Sequence, residues 1–353
     1  MNVLFVYYVP SGGMDTLNRQ RCKALRQYGI EAHCLYYGWG AGLQNPADGP
    51  LYVTKNDIAI KHLLDSHHYQ AIIVTTDHRS FERFRLLGYS GKLVLEIQGY
   101  GPKAVAREQL TLASPWVTAH ASGLLHPNTP HIAALFEELY PAIPRFAFNN
   151  CFDSAAFAYR EHPKPDDPII AWMGRIEDNK NWREFLLIGH RLAERYPKLT
   201  LWMFEDPNLA DKEESRRFVQ MVGELGLGER LVRRSNVPHA EMQNYLSLVG
   251  DSGGFLCSTS KVEGAPYAVL EAMSCRCPVL TTDSDGVSTS IFHNVTGKFY
   301  TLGDVAHAVS EAVELMDNET LRANIRAAAR QHVQANFDPL LYGRHFVNML
   351  QSI

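Results

Sequence analysis

At 353 residues the chain is long for one domain and comfortable for two of ordinary size. With 46% hydrophobic and 20% charged residues it has ample core, and a net charge of −4 argues against an electrostatic nucleic-acid binder. Divided at residue 150, the front carries a balance of +2 and the remainder −6, a small asymmetry that favours an anionic acceptor or a membrane-proximal substrate at the front.

Residues 3–9 are apolar, β-branched and aromatic, which predicts a buried strand. The run is far short of the ~20 residues of a membrane span and lacks the basic flank of a signal peptide. A turn at Pro10-Ser11-Gly12-Gly13 precedes an amphipathic helix expected over 15–28, with Gly29 as its left-handed stop. Strands are predicted at 32–37, 71–75, 92–97 and 145–148, with a helix at 57–66. From 150 to 168 the composition turns to Pro, Asp and Lys, which is linker chemistry.

The second half restarts with a strand at 169–173, a helix over 182–196 and a strand at 199–204. A helix at 212–225, a short strand at 231–232, a helix from His239 and a strand at 254–257 follow. Helices over 305–316 and 321–336 and a closing amphipathic helix complete the chain. Strand alternating with helix indicates parallel sheets with crossover helices. The expected architecture is α/β, two Rossmann-like doubly wound domains facing each other across a cleft, with ligands at the C-terminal strand ends. Domain bounds of 1–150 and 151–336 follow, with 337–353 as a C-terminal helix. Six cysteines without framework spacing suggest reduced thiols in a cytoplasmic protein, and the Cys275/Cys277 pair reads as core packing.

The most informative stretch is 261–287, KVEGAPYAVLEAMSCRCPVLTTDSDGV. Glu263 and Glu271 stand with seven residues between them; Gly264 and Pro266 punctuate the first, and a strong helix former surrounds the second. The order is loop carboxylate, helix N-terminus, helix carboxylate, strand. Free amides at a helix N-terminus attract phosphate, and a carboxylate two turns in can accept hydrogen bonds from a vicinal diol such as ribose. This string resembles the E-x7-E segment of the retaining, family 4 glycosyltransferases of the GT-B fold. The resemblance implies that Glu263 approaches the donor sugar and that Glu271 holds the nucleotide ribose, with Gly264 and Ala265 contributing to the donor site, that 1–150 is the acceptor side and 151–336 the donor side, and that the helix over 337–353 crosses back to the N-terminal domain.

Gly174-Arg175 follows a strand and Lys180 opens a helix, an arrangement suited to clamping a diphosphate. The resemblance gives Arg175 and Lys180 that role. Gly12 and Gly13 allow close backbone approach to a phosphate or sugar, or serve a tight turn; the family has a glycine-rich loop there. No G-x-G-x-x-G accompanies them, so a nicotinamide-dependent oxidoreductase lacks its fingerprint. Asn236 and Val237 match the family's base-binding loop, and Ser258, Thr259 and Ser260 line the loop before Glu263, as phosphate or sugar contacts or as simple loop residues. Where the family commonly has a histidine after the strand at 92–97, this chain has Gln98, a candidate sugar contact that cannot take a proton at neutral pH. His120 and His126 lie downstream, as substitutes or as structural residues. Asp283-Ser284-Asp285 is a D-x-D string, but in this position the family has a polar turn, and no metal or other cofactor is expected.

The function implied is a retaining, metal-independent transfer from a nucleotide-diphosphate sugar, a UDP-sugar being favoured, to an acceptor hydroxyl that the sequence does not identify. Glycan, protein, lipid and small molecule all remain open as acceptors, as does peripheral membrane contact. The rivals are a non-catalytic nucleotide-sugar or glycan-binding protein and a glycosyl phosphorylase or epimerase on the same scaffold.

Overall fold

A computed structural model of the chain describes residues 1–353. It contains two compact units, one of Met1–Asp153 with Asn336–Ile353 and one of Ser154–Ala335.

In the first unit the strands are β1 (Asn2–Tyr7), β2 (Glu31–Tyr36), β3 (Leu51–Val53), β4 (Ala71–Thr75), β5 (Lys92–Glu96), β6 (Gly123–His126) and β7 (Arg145–Ala147). The helices between them are α1 (Gly12–Arg26), α2 (Asp57–His67), α3 (Ser80–Leu86), α4 (Lys103–His120) and α5 (Pro130–Leu139). All strands pair in parallel, in the order β3-β2-β1-β4-β5-β6-β7. Strands covered by helices on both faces read as continuous apolar runs, and Val3 to Val6 and Ala71 to Val74 are fully buried. Strand order reverses between β1 and β4, the point where such sheets open a ligand crevice.

The second unit has β8 (Ile169–Met173), β9 (Thr200–Glu205), β10 (Leu231–Ser235), β11 (Phe255–Ser258), β12 (Val279–Thr282) and β13 (Lys298–Tyr300). Its helices are α6 (Trp182–Arg195), α7 (Lys212–Glu224), α8 (His239–Asp251), α9 (Tyr267–Ser274), α10 (Val305–Asp317) and α11 (Glu319–Asn336). The sheet is again parallel, ordered β10-β9-β8-β11-β12-β13, and reverses between β8 and β11. Each unit has its own hydrophobic core.

The last helix, α12 (Pro339–Ser352), belongs to the first unit. Phe346 packs on Phe5 at 5.7 Å, and the Tyr28 hydroxyl donates to the Leu340 carbonyl at 2.7 Å.

The chain is thus two parallel-sheet, Rossmann-like α/β domains. Several short elements are not apparent from periodicity: β3, α3, β6, α5, β13 and the long α4. Pro115 interrupts the helical pattern of α4 from within, which hides it. α1 starts at Gly12, three residues before the expected Asp15, whose side chain has a tertiary role. It is buried and holds Arg19 at 2.9 Å and Asn45 at 3.1 Å.

Candidate functional site

In the second unit the reversal of strand order places the loop after β8 beside the loop after β11, and main-chain and side-chain bonds fasten the two together. Lys261 N donates to Asn179 O at 2.8 Å and Asn179 Nδ2 to Val262 O at 3.0 Å. Buried Thr259 donates to the carbonyls of Lys180 and Asn181 and accepts from Trp172 Nε1 at 3.1 Å. The result is that Lys180 reaches across to the carboxylate of Glu263 and forms an ion pair with it. Ser260 Oγ donates to the same Glu263 oxygen, Oε1, at 2.6 Å. Glu263 is held from the other side as well: its N–H donates to Ser284 O at 3.1 Å, and its carbonyl accepts from Gly286 N at 3.0 Å.

Gly264 and Ala265 follow, and then α9 begins at Tyr267 with no side-chain cap on its first turn. The positive end of a helix dipole at a start without a side-chain cap is suited to an anion. Glu271 lies one turn further along, nearly buried, and accepts from His239 Nε2 at 2.9 Å through Oε1. The His239 ring rests on Phe157, with centroids 4.8 Å apart. His239 was not singled out from the sequence; nothing in its local pattern distinguishes it from any residue at a helix start. Ser260, expected as a phosphate or sugar contact or as a simple loop residue, has its hydroxyl on Glu263.

Arg175 lies in the loop after β8, half exposed, with its guanidinium on Glu177 at 2.9 Å. Ser258 ends β11 at the same edge. Asn236 and Val237 follow β10; Asn236 adopts φ +49° and its N–H donates to Glu205 O at 2.9 Å, which fixes the loop's departure from the sheet. Asp283 is exposed, Asp285 takes φ 60° and ψ −88°, and the turn they form packs against Glu263 and Gly264. No cluster of three or more His, Cys, Asp or Glu side chains is disposed to hold a metal ion.

Gly12, Gly13 and Gln98 belong to the first unit. Gly12 and Gly13 are exposed and form the first turn of α1, again without a side-chain cap. Gln98 is spoken for by the protein: Nε2 donates to Glu96 Oε1 at 2.9 Å and to Asn150 Oδ1 at 3.1 Å, while Oε1 accepts from Asn150 Nδ2 at 2.7 Å. Glu96 in turn makes a fully buried pair with Arg21 at 2.8 Å and accepts from Thr75 at 2.6 Å. With both amide hydrogens committed, Gln98 retains only acceptor capacity toward a sugar. His126 is buried, its Nδ1 accepts from Thr129 N at 3.1 Å, and burial together with nearby His131 pushes its pKa down to about 4. That is the environment of a neutral structural histidine. His120 ends α4 and its carbonyl accepts from Arg85.

Two Rossmann-like domains of this kind make the GT-B architecture of glycosyltransferases, and solved structures bear out the fold. HepE of Anabaena in complex with UDP-glucose superposes with a TM-score of 0.83 over 100% of both chains at 17% identity, a level that speaks to the fold alone. Residues 156–332, half of the chain, match the family described as glycosyl transferases group 1, and the chain belongs to that family. Among curated relatives, it is 34% identical over 91 residues to the GDP-mannose-dependent monoacylated alpha-(1-6)-phosphatidylinositol monomannoside mannosyltransferase of Corynebacterium glutamicum, covering 26% of this chain and 24% of that one. It is 26% identical over 132 residues to the N-acetyl-alpha-D-glucosaminyl L-malate synthase of Bacillus anthracis, covering 36% and 32%. The chain spans less than half the length of the first of these curated relatives it matches.

Proposed function

We propose that the protein is a retaining, metal-independent glycosyltransferase that uses a nucleotide-diphosphate sugar, a UDP-sugar in the first instance. The observation that carries this reading is the meeting of Lys180, Ser260 and Glu263 beside the uncapped start of α9, with the Glu271–His239 pair one turn along. Separating a diphosphate from an oxocarbenium-like carbon is the costly event. Cations and oriented amides lower that barrier where the negative charge develops. Lys180, Arg175 and the first-turn amides of α9 are assigned to the diphosphate, with Ser258 beside them. Glu263, Gly264 and Ala265 orient the donor sugar, Glu271 takes the ribose hydroxyls, and the main chain at Asn236 and Val237 takes the base. Gly12 and Gly13 are assigned to the donor and acceptor side of the first unit.

The acceptor hydroxyl attacks on the face the diphosphate leaves, and its proton passes to a phosphate oxygen. No protein base is needed, which suits a chain with Gln98 where a histidine is common. UDP-glucose bound to HepE supports a uridine donor, whereas the Corynebacterium relative is named for GDP-mannose.

The test is nucleotide release from UDP- and GDP-sugars, with and without a chelator, by wild type and Glu263→Ala. We expect release by wild type that survives chelation and falls by at least about a hundredfold in the variant, in keeping with the loss of one transition-state contact. Binding of a nucleotide sugar without turnover by either protein would leave a sugar-nucleotide binding protein in its place.

A further inference from the structure

We propose that the first unit carries a second ligand site, a cavity at the N-terminal ends of its strands that takes a phosphate monoester on Arg85 and Lys92. The site does not depend on the transferase reading, since it lies at the opposite end of the strands from the Gly12–Gly13 turn.

The cavity has a volume of about 510 Å³, and its lining includes Gln70, Arg85, Ser90, Lys92, Ser122 and Leu350. Small-molecule sites have volumes of this order. Gln70 immediately precedes β4, Lys92 opens β5 and Ser122 immediately precedes β6, and these three strands are neighbours in the sheet. Ligands of doubly wound sheets sit at the other, C-terminal strand ends, so the donor and acceptor roles do not account for a cavity here. Its backbone is fastened. Lys92 N donates to Gln70 O at 3.2 Å and Ser122 N to Leu93 O at 2.7 Å. The Ser122 hydroxyl accepts from Leu93 N at 3.3 Å, and the buried Tyr89 hydroxyl donates to Lys92 O at 3.1 Å.

The two cations are oriented but not neutralised. Arg85 Nη1 donates to Tyr89 O and to Gly91 O, each at 2.8 Å, and Nη2 reaches His120 O at 3.5 Å. Lys92 Nζ donates to Leu350 O at 2.8 Å. No carboxylate pairs with either side chain, and none lines the cavity. Helix ends account for part of this arrangement: His120 closes α4 and Leu350 lies in the last turn of α12, where cations are favoured. A helix end carries about half a negative charge, so two ends offset about one of the two positive charges. The remainder has no counter-charge in the protein. Arg85 Nε and two of the three Lys92 ammonium hydrogens are also uncommitted.

A guanidinium near an ammonium suits a phosphate, which meets the first through paired oxygens and the second as a point charge. At about 30 Å³ per water the cavity has room for more than a bare phosphate. Ser90 and Ser122 offer hydroxyls to a polar body attached to it. A neutral polyol would leave both cations uncompensated.

The experiment is calorimetric titration of the full chain with glycerol 3-phosphate, inorganic phosphate and glycerol, beside flotation with vesicles of phosphatidic acid in phosphatidylcholine. Wild type is compared with Lys92→Gln, which keeps a donor for the Leu350 carbonyl, with Gln70→Glu, which sets a carboxylate at an exposed position of the lining, and with Lys180→Gln in the second unit. We expect wild type to bind glycerol 3-phosphate, inorganic phosphate more weakly and glycerol not at all. The Kd for the ester should rise about tenfold in Lys92→Gln and in Gln70→Glu and stay unchanged in Lys180→Gln. Unliganded melting temperatures near that of wild type report that the variants fold. No binding of the ester or of vesicles by wild type, affinity unchanged in both cavity variants, or a loss confined to Lys180→Gln overturns the proposal. Vesicle binding that both cavity variants lose, without binding of the free ester, upholds the phosphate site and makes a lipid headgroup its source.

Discussion

Glu263 and Glu271 are chemically identical, and their neighbours make them different groups. Glu263 has an ammonium and a hydroxyl on one oxygen, in the crevice between two loops. Glu271 has an imidazole on one oxygen and is otherwise enclosed. Their spacing and the helix between them were legible, because a Gly and a Pro before a run of helix formers are local signals. Their partners were not, since Lys180 is 83 positions from Glu263 and His239 is 32 from Glu271. Histidines show the same limit: His126 and His120 read alike in the sequence, and only burial separates them. Burial keeps His126 neutral, so its contribution to stability is complete above its ordinary value of 6.5 and is lost as pH falls from there toward 4. The loss is on the order of 3 kcal/mol across that window. Urea unfolding from about pH 7.5 to about pH 4.5 should therefore show a smaller acid-induced drop for His126→Gln than for wild type. An equal drop in both proteins would assign the acid sensitivity to other groups.

At the scale of elements, the site is a product of which loops lie side by side. The loops after β8, β11 and β12 meet because those strands are neighbours, and the tightest point of the meeting is Gly286 against the carbonyl of Gly264. A methyl group on Gly286 would fall within the van der Waals shell of that oxygen, so the turn must retreat and draw Glu263 with it through the Gly286 N–H bond. Gly286→Ala is expected to cost about 1–3 kcal/mol in stability and to weaken the thermal shift given by a nucleotide sugar. Retention of both at wild-type values would mean the turn has slack and does not hold Glu263. Element boundaries were less legible than element types. α1 begins three residues before the expected start, and α4 runs through Pro115, where the helical pattern reads as broken.

At the scale of the whole molecule, the two units have separate cores and separate sheets. Two cores need not melt together, and a ligand held by one of them stabilises that one. Scanning calorimetry should resolve two transitions, and UDP or GDP should move chiefly the one assigned to residues 154–335, which carries most of the proposed nucleotide contacts. A nucleotide that raised both transitions equally would place its contacts on both units or mark the chain as a single cooperative block.

What the sequence by itself determined is the alternation of strand and helix, and hence two parallel sheets, together with the spacing of the two glutamates around a helix start. Both are written in windows of a few residues, where periodicity says which face is buried. Only the tertiary structure decided that β8 lies beside β11 and β1 beside β4. From that order come the Lys180–Glu263 pair and the Glu271–His239 pair. Strand order is a property of crossover connections and of how sheets cover their faces, and no local window of residues carries it.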